Sequence, residues 1–170
     1  VSGRVAMVFQ WISVTTAALG AMAAPVLGTA QDYQAGLIAY GAGDYKTAFE
    51  NWAPIAAQGD VDAQFNLAVM FADGEGVIRD FSEAVRWFRL SAEQGDAPSQ
   101  FNLAGMYASG MGVPTDFATA HMWYSVSEVN GVQSARSSRE FLEESMTRAD
   151  IDKAVVRARD CIASNYANCD

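Results

Sequence analysis

Ala63-Gln64-Phe65-Asn66-Leu67-Ala68-Val69-Met70-Phe71 is answered by Ser99-Gln100-Phe101-Asn102-Leu103-Ala104-Gly105-Met106-Tyr107, at an offset of 36 residues. The offset also carries Gly74 onto Gly110, Gly76 onto Gly112, Val77 onto Val113, Asp80 onto Asp116, Phe81 onto Phe117, Ala84 onto Ala120, Trp87 onto Trp123 and Gly95 onto Gly131. Run backwards, it places Asp44, Tyr45, Ala48, Gln58, Gly59 and Asp60 under Asp80, Phe81, Ala84, Gln94, Gly95 and Asp96. A shortened unit therefore precedes two full ones, and a fixed period of this length marks a repeat architecture.

Within a unit the apolar residues recur at helical spacing. Ala63, Leu67, Ala68 and Phe71 share one arc, and Ala84, Trp87, Phe88 and Ser91 share another, so each unit reads as two helices. Gly74 can end the first helix in the left-handed conformation. Asp80 is placed to cap the second, with Glu83 three residues on as in a capping box, and Asp116 and Asp44 stand in the same place in their units. Asp96 followed by Pro98 reopens the next helix. One helical hairpin cannot bury its apolar face alone, whereas stacked hairpins can. The expected fold is all-α: an α/α helical-hairpin solenoid of about two and a half 36-residue repeats plus a C-terminal helical cap.

These residues resemble the Sel-one-like repeat family, relatives of the tetratricopeptide repeats, whose pattern is approximately A-x-x-x-L-G-x-x-Y, G-x-G-V, D, A-x-x-W, A-A, G. Ala68 and Ala104 stand for the usual glycine, Phe71 for tyrosine, and Ser91 and Ser127 for the first alanine of the closing pair. Glu128 replaces the second alanine of that pair, which places solvent or a different helix beside it. The resemblance covers Gln31 to Gly131, and it implies that the first helices line a concave wall. The expected divisions are a signal peptide at 1–30, a shortened tetratricopeptide-like repeat at 31–60, full repeats at 61–95 and 96–131, and the cap at 132–170. In the first unit Pro54 falls inside the second helix, so a kink is expected near Trp52 to Ile55. Within the cap, helical spacing runs through Ala135, Arg139, Phe141 and Leu142. Thr147 opens a last helix with Ile151, Ala154, Val155, Ala158 and Ile162 on one side.

The chain has 170 residues, 51% hydrophobic and 18% charged, which is enough apolar material for a core. Eleven Lys and Arg against 20 Asp and Glu leave a net charge of -9, which repels phosphate backbones and argues against nucleic acid as partner. From Val1 to Ala30 there is no acidic residue and Arg4 is the only charge, while Val5 to Leu27 is almost wholly apolar or small. That is a signal-peptide profile. Cleavage is expected after Ala30, with Ala23 as the second choice. The alternative is a retained anchor, since about 20 such residues can span a bilayer.

Export implies an oxidising compartment, periplasmic or secreted, where Cys161 and Cys169 would pair. On one straight helix their backbones would stand about 12 Å apart, too far for a bridge, which spans at most about 7 Å. A bridge therefore needs the helix to stop near Ser164 and the tail to fold back; two free thiols are the alternative. His121 is the only histidine and reads as a packing or surface residue. No catalytic group and no metal set assembles around it. The Gly-x-Gly pairs lack the basic residue of a phosphate loop, and the acidic Asp73 and Glu75 lack the calcium-loop pattern, so both stretches read as helix-joining turns. No cofactor is expected. Trp52, Trp87, Trp123 and Tyr124 read as core.

Turning Ala63, Leu67 and Phe71 inward at 100° per residue turns Asp62, Phe65, Asn66, Val69 and Asp73 outward, with Pro98, Phe101, Asn102, Gly105 and Ser109 as counterparts. Phenylalanines and asparagines repeated on one wall suit a peptide groove, offering apolar anchors and amides for an extended backbone. Phe65 and Phe101 packing between repeats is the equal alternative. The expected function is an exported, non-catalytic adaptor or regulator, monomeric and free of the membrane after cleavage, that binds a protein or peptide partner through Asp62, Phe65, Asn66, Val69, Asp73, Phe101, Asn102 and Ser109. Two other functions compete with it. One is an exported hydrolase resembling the β-lactamase-like members of the family, although the repeats here contain no cysteine. The other is an envelope-anchored structural factor.

Overall fold

Five aspartates punctuate the chain. Asp44, Asp60, Asp80, Asp96 and Asp116 each precede a helix and accept a hydrogen bond from a backbone amide in its first turn, at 2.7 to 3.1 Å. Each such cap is worth about 0.5–2 kcal/mol. The computed structural model describes residues 29–169, so the expected signal segment lies outside the described residues apart from Thr29 and Ala30. Eight helices are present among them: α1 (Thr29–Gly41), α2 (Tyr45–Ala57), α3 (Val61–Asp73), α4 (Phe81–Ala92), α5 (Ala97–Ser109), α6 (Phe117–Val129), α7 (Ser134–Glu143) and α8 (Arg148–Ala163). No described helix is long and apolar enough to cross a membrane.

The helices pair as α1/α2, α3/α4 and α5/α6, and each second helix also packs on the first helix of the next pair. This is a helical-repeat solenoid. Gly74 and Gly110 end α3 and α5 at φ 79° and 72°, a left-handed conformation that glycine adopts without a Cβ clash. The expected capping box at α4 forms only in half. Asp80 caps the helix, but Glu83 turns its carboxylate to Arg86 at 2.8 Å, because a charged partner one turn on outcompetes a neutral amide behind it. α2 runs unbroken through Pro54. The carbonyl that loses its amide partner belongs to Glu50 on the exposed side of the helix, where water can satisfy it, so the proline is accommodated without ending the helix.

Two apolar clusters fill the solenoid. Trp52, Ile55, Leu67 and Met70 centre one, Phe88, Leu103, Met122 and Trp123 centre the other, and half-buried Trp87 packs against both. A polar ladder repeats with the apolar one. Gln64 Nε2 donates to the Ala56 carbonyl and Gln100 Nε2 to the Ala92 carbonyl, both at 3.0 Å. Ser91 Oγ donates to the Val61 carbonyl and Ser127 Oγ to that of Ala97. The serines that stand where the family has alanine thus tie the end of each second helix to the start of its own first helix.

Beyond α6 the packing rule changes. α7 and α8 both lie on α6. Glu128 accepts from Arg136 at 2.7 Å and from Arg139 at 3.3 Å, so it meets a different helix. Ala135 and Leu142 are buried on α7, but Phe141 is 72% exposed, and on α8 Ala154 and Ala158 are buried while Val155 is 50% exposed. The expected apolar faces are narrower than the sequence arcs, because a small alanine stripe brings α8 close to α6 and pushes the larger residues to its flanks. After Ser164, Asn165 and Tyr166 take φ of 53° and 66°. The turn returns Cys169 to Cys161, with Cα atoms 4.5 Å apart at disulfide distance. Tyr166 Oη then donates to Asn130 Oδ1 at 3.0 Å.

Candidate functional site

An aromatic pair at matching positions joins the two helices of each hairpin: Tyr33 with Trp52, Phe65 with Phe88, and Phe101 with Tyr124, at ring-centroid distances of 6.2, 5.9 and 5.3 Å; in the first hairpin Tyr40 also packs on Tyr45 and Trp52. Trp52 thus occupies the place of Phe88 and Tyr124, not that of Trp87 and Trp123. In this first pair the indole Nε1 donates to the Tyr33 carbonyl at 3.2 Å. Gly36 beneath it leaves no room for a side chain, since a Cβ there would stand 2.2 Å from the indole nitrogen.

Phe65 and Phe101 are half-buried. One side of each ring rests on its partner helix, and the remainder faces a cleft of about 750 Å³ between α3, the start of α4 and α5. Of the residues expected on this face, Phe65, Val69, Asp73, Phe101, Asn102, Gly105 and Ser109 line that cleft. Asp62 is exposed one turn below it. Asn66 does not line it, because its Nδ2 donates to the Tyr33 hydroxyl at 3.3 Å. Asn102, at the equivalent position, turns back instead to the Pro98 carbonyl at 3.0 Å. The same residue type therefore closes the face between α1 and α3 and leaves it open between α3 and α5.

Sequence reasoning missed Phe81, Arg79 and Met111, which also line the cleft beside Ala72, Phe88 and Met106. The Arg79 guanidinium stands 5.4 Å from the Phe81 ring centroid, a cation–π distance. A second cleft of about 530 Å³ follows, with Phe117, Tyr124, Ser138 and Phe141 in its walls. The repeat offset applied to Phe81 pointed to Phe117, but nothing in the sequence brought α7 to its side. A larger hollow of about 960 Å³ lies where the ends of α2 and α4 meet the returning tail. Its main aromatic, Trp87, is covered by Arg86 at 4.0 Å, so it offers less open apolar surface than the first-helix clefts.

His121 and Glu75, also singled out in the sequence, are paired within the fold. His121 is fully buried in α6, with Nε2 2.9 Å from Glu143 Oε1 and Nδ1 without a partner. Burial pushes its pKa below the ordinary value, against the pull of Glu143. Glu143 itself is held low, first by its bond to His121 and also by Arg139. Glu75, one of the acidic loop residues, accepts from the Tyr40 hydroxyl and pushes that phenol up to about 12. Among the described residues no group of three or more His, Cys, Asp or Glu is placed to hold a metal.

The Sel1 repeat profile matches residues 61–96 and 97–126. A protective antigen of uropathogenic Escherichia coli strains, which displays an SLR fold, is 27% identical, with a TM-score of 0.76 over 82% of this chain and 32% of that one. A Sel1 repeat protein from Oxalobacter formigenes is 28% identical, with a TM-score of 0.61 over 65% of this chain and 44% of its own. The chain thus spans about a third of the first of these proteins and under half of the second. No curated protein matches it. Residues 61–126 thus carry two successive Sel1 repeats, in a stack of helical hairpins whose fold is shared with these solved structures.

Proposed function

We propose that the chain is an exported, non-catalytic adaptor that binds a protein or peptide partner in the cleft between α3 and α5. One observation carries this reading: repeated aromatics of the first-helix face stay half-exposed along an open, mostly apolar cleft whose polar residues stand at its rim. Such a surface has the composition of an interface core with a polar border. Fold alone does not assign a partner, so the cleft must be tested directly. Export is supported by the N-terminal profile of residues 1–30 and by the cysteine pair at disulfide distance. The burial of His121 leaves the single imidazole out of reach of a substrate, which weighs against the hydrolase reading.

Because Phe65 and Phe101 also pack on Phe88 and Tyr124, truncating them would perturb the fold together with the cleft. Ser109 is exposed on the cleft rim, so Ser109→Trp fills the cleft and leaves the core alone. The variant is expected to keep the wild-type melting temperature and to lose a partner that wild type captures by crosslinking from an envelope fraction. Undiminished capture by the folded variant removes the cleft from the function. Intact-mass measurement after expression in a Gram-negative host tests export, with Gln31 expected as the first residue of the mature chain.

A further inference from the structure

We infer that the first-helix face is a two-subsite track for one extended, basic segment carrying two apolar anchors, an inference that rests on the partner-binding function proposed above. The cleft between α3 and α5 recurs one repeat later. Phe81 and Phe88 in its wall become Phe117 and Tyr124 in the second cleft, and across from them Gly105 and Met106 become Phe141 and Leu142, all at the 36-residue offset. Ser109 belongs to both linings, so the two clefts adjoin. α7 therefore takes the place of a first helix in three dimensions where its sequence no longer shows the repeat.

The track has a defined start. Asn66 bonds to Tyr33 between α3 and α1, which closes the face on that side, so the open stretch runs from α3 to α7 and holds two subsites. Each presents uncovered apolar surface: Met111 is 41% exposed in the first, and Phe117 and Phe141 are 36% and 72% exposed in the second. Side chains of an extended segment that enter successive subsites must keep a fixed spacing, because the helices that carry the subsites are rigid elements.

Charge sets the partner's sign. Asp62 and Asp73 are exposed on the α3 side, and Glu140 on α7 and Glu144 just past its end are exposed within one turn of Phe141. Among the described residues that line either cleft, Arg79 is the only cation, and it lies over the Phe81 ring. With a net charge of -9 on the whole chain, the field steers cationic segments toward this face and repels acidic ones.

The probes are synthetic peptides with two phenylalanines separated by zero to six Gly/Ser residues, flanked by lysines or by glutamates, with single-phenylalanine versions of each. Binding to the full chain with its disulfide intact is read by fluorescence anisotropy. One spacing of the lysine-flanked series is expected to bind at least ~10-fold tighter than its single-anchor version, a typical hot-spot effect. Phe141→Ser, a change at an exposed position, should erase that advantage and bring the two-anchor peptide down to the affinity of its single-anchor version. The paired change Glu140→Lys with Glu144→Lys should narrow the preference for lysine flanks. Affinity independent of spacing, an unaffected Phe141→Ser, or equal binding of glutamate-flanked peptides overturns the track. If Ser109→Trp abolishes partner capture while no two-anchor peptide binds, the track fails and the adaptor function stands. If Ser109→Trp leaves capture intact, both fail.

Discussion

Gly112 lies against the first turn of the preceding hairpin's second helix, so close that a Cβ on it would stand 2.3 Å from the carbonyl oxygen of Phe81. Gly76 repeats the relation one unit earlier, where a Cβ would stand 2.7 Å from the carbonyl carbon of Tyr45. Ser82 Oγ adds a bond to the Gly112 carbonyl at 3.3 Å. The two glycines of each connection therefore have separate tasks. The first ends a helix, and the second lets a loop of one hairpin lie on the backbone of another.

Gly112→Ala and Gly76→Ala are accordingly expected to destabilise the chain more than Gly43→Ala or Gly131→Ala. All four have φ between 71° and 106°, but a Cβ at Gly43 or Gly131 meets nothing within 4 Å. The open pair should lose only the left-handed penalty of about 1–2 kcal/mol, while the contact pair loses that and must also displace backbone. Thermal melting of the four variants checks this, and equal shifts would show that the loops do not hold the hairpins together.

Trp123→Ala is expected to cost about 3–5 kcal/mol, a large fraction of the roughly 5–15 kcal/mol that holds a domain folded. Trp123 is fully buried, whereas Trp87 is half-buried beneath Arg86. Trp87→Ala should therefore cost less, about 2–3 kcal/mol. Chemical denaturation of both variants reads the difference, and a larger loss at Trp87 would invert the assigned burial.

Stability should fall in two steps on acidification. His121 is depressed in the folded chain, so the unfolded chain takes up that proton first. The stabilisation from the neutral imidazole is complete above the unfolded value of about 6.5 and is lost as pH drops from there toward the folded value. Glu128 and Glu143 are also held low, so their contribution persists until pH falls below about 4.5 and is lost through their folded values. Melting temperatures between pH 8 and pH 3 should show both steps, and His121→Gln should remove the upper one. An upper step that survives in His121→Gln would belong to another group.

Reduction should loosen the tail and leave the repeats intact. Closing a loop with a sequence separation of 8 is worth about 2–3 kcal/mol, and the loop holds Tyr166 against Asn130 and Gly95. Hydrogen exchange after dithiothreitol treatment is expected to rise over residues 162–169 and to stay unchanged in α3 to α6. Two reactive thiols per chain in unreduced, denatured protein would show that the bridge does not form.

What was legible in the sequence was what is local and repeated. Aspartate caps and left-handed glycines act within a few residues of themselves, so Asp80, Asp116, Gly74 and Gly110 could be placed by spacing. The two sides of Phe65 could not be assigned, because an arc computed for one helix does not say how far the neighbouring helix reaches around it. The structure divides the ring between Phe88 and the cleft. The different uses of Asn66 and Asn102 depend on Tyr33, a residue whose match to Phe65 is hidden by the shorter turn between α1 and α2. Past α6 there was no second copy to compare, and there the expected positions of Phe141 and Val155 gave way.

The repeated bonds of Gln64 and Gln100, and of Ser91 and Ser127, also govern how such a chain can be lengthened. A duplicated copy of residues 61–96, spliced in frame after position 96, would meet the same carbonyls and the same glycine loops on both sides, because the glutamine's partner lies one unit back and the serine's within its own unit. Past α6 an extra copy has no such berth: α8 already covers that helix and Tyr166 occupies the Asn130 amide. Recombination can therefore grow this repeat array from its interior, while the far side of α6 offers no berth to a further repeat of this kind.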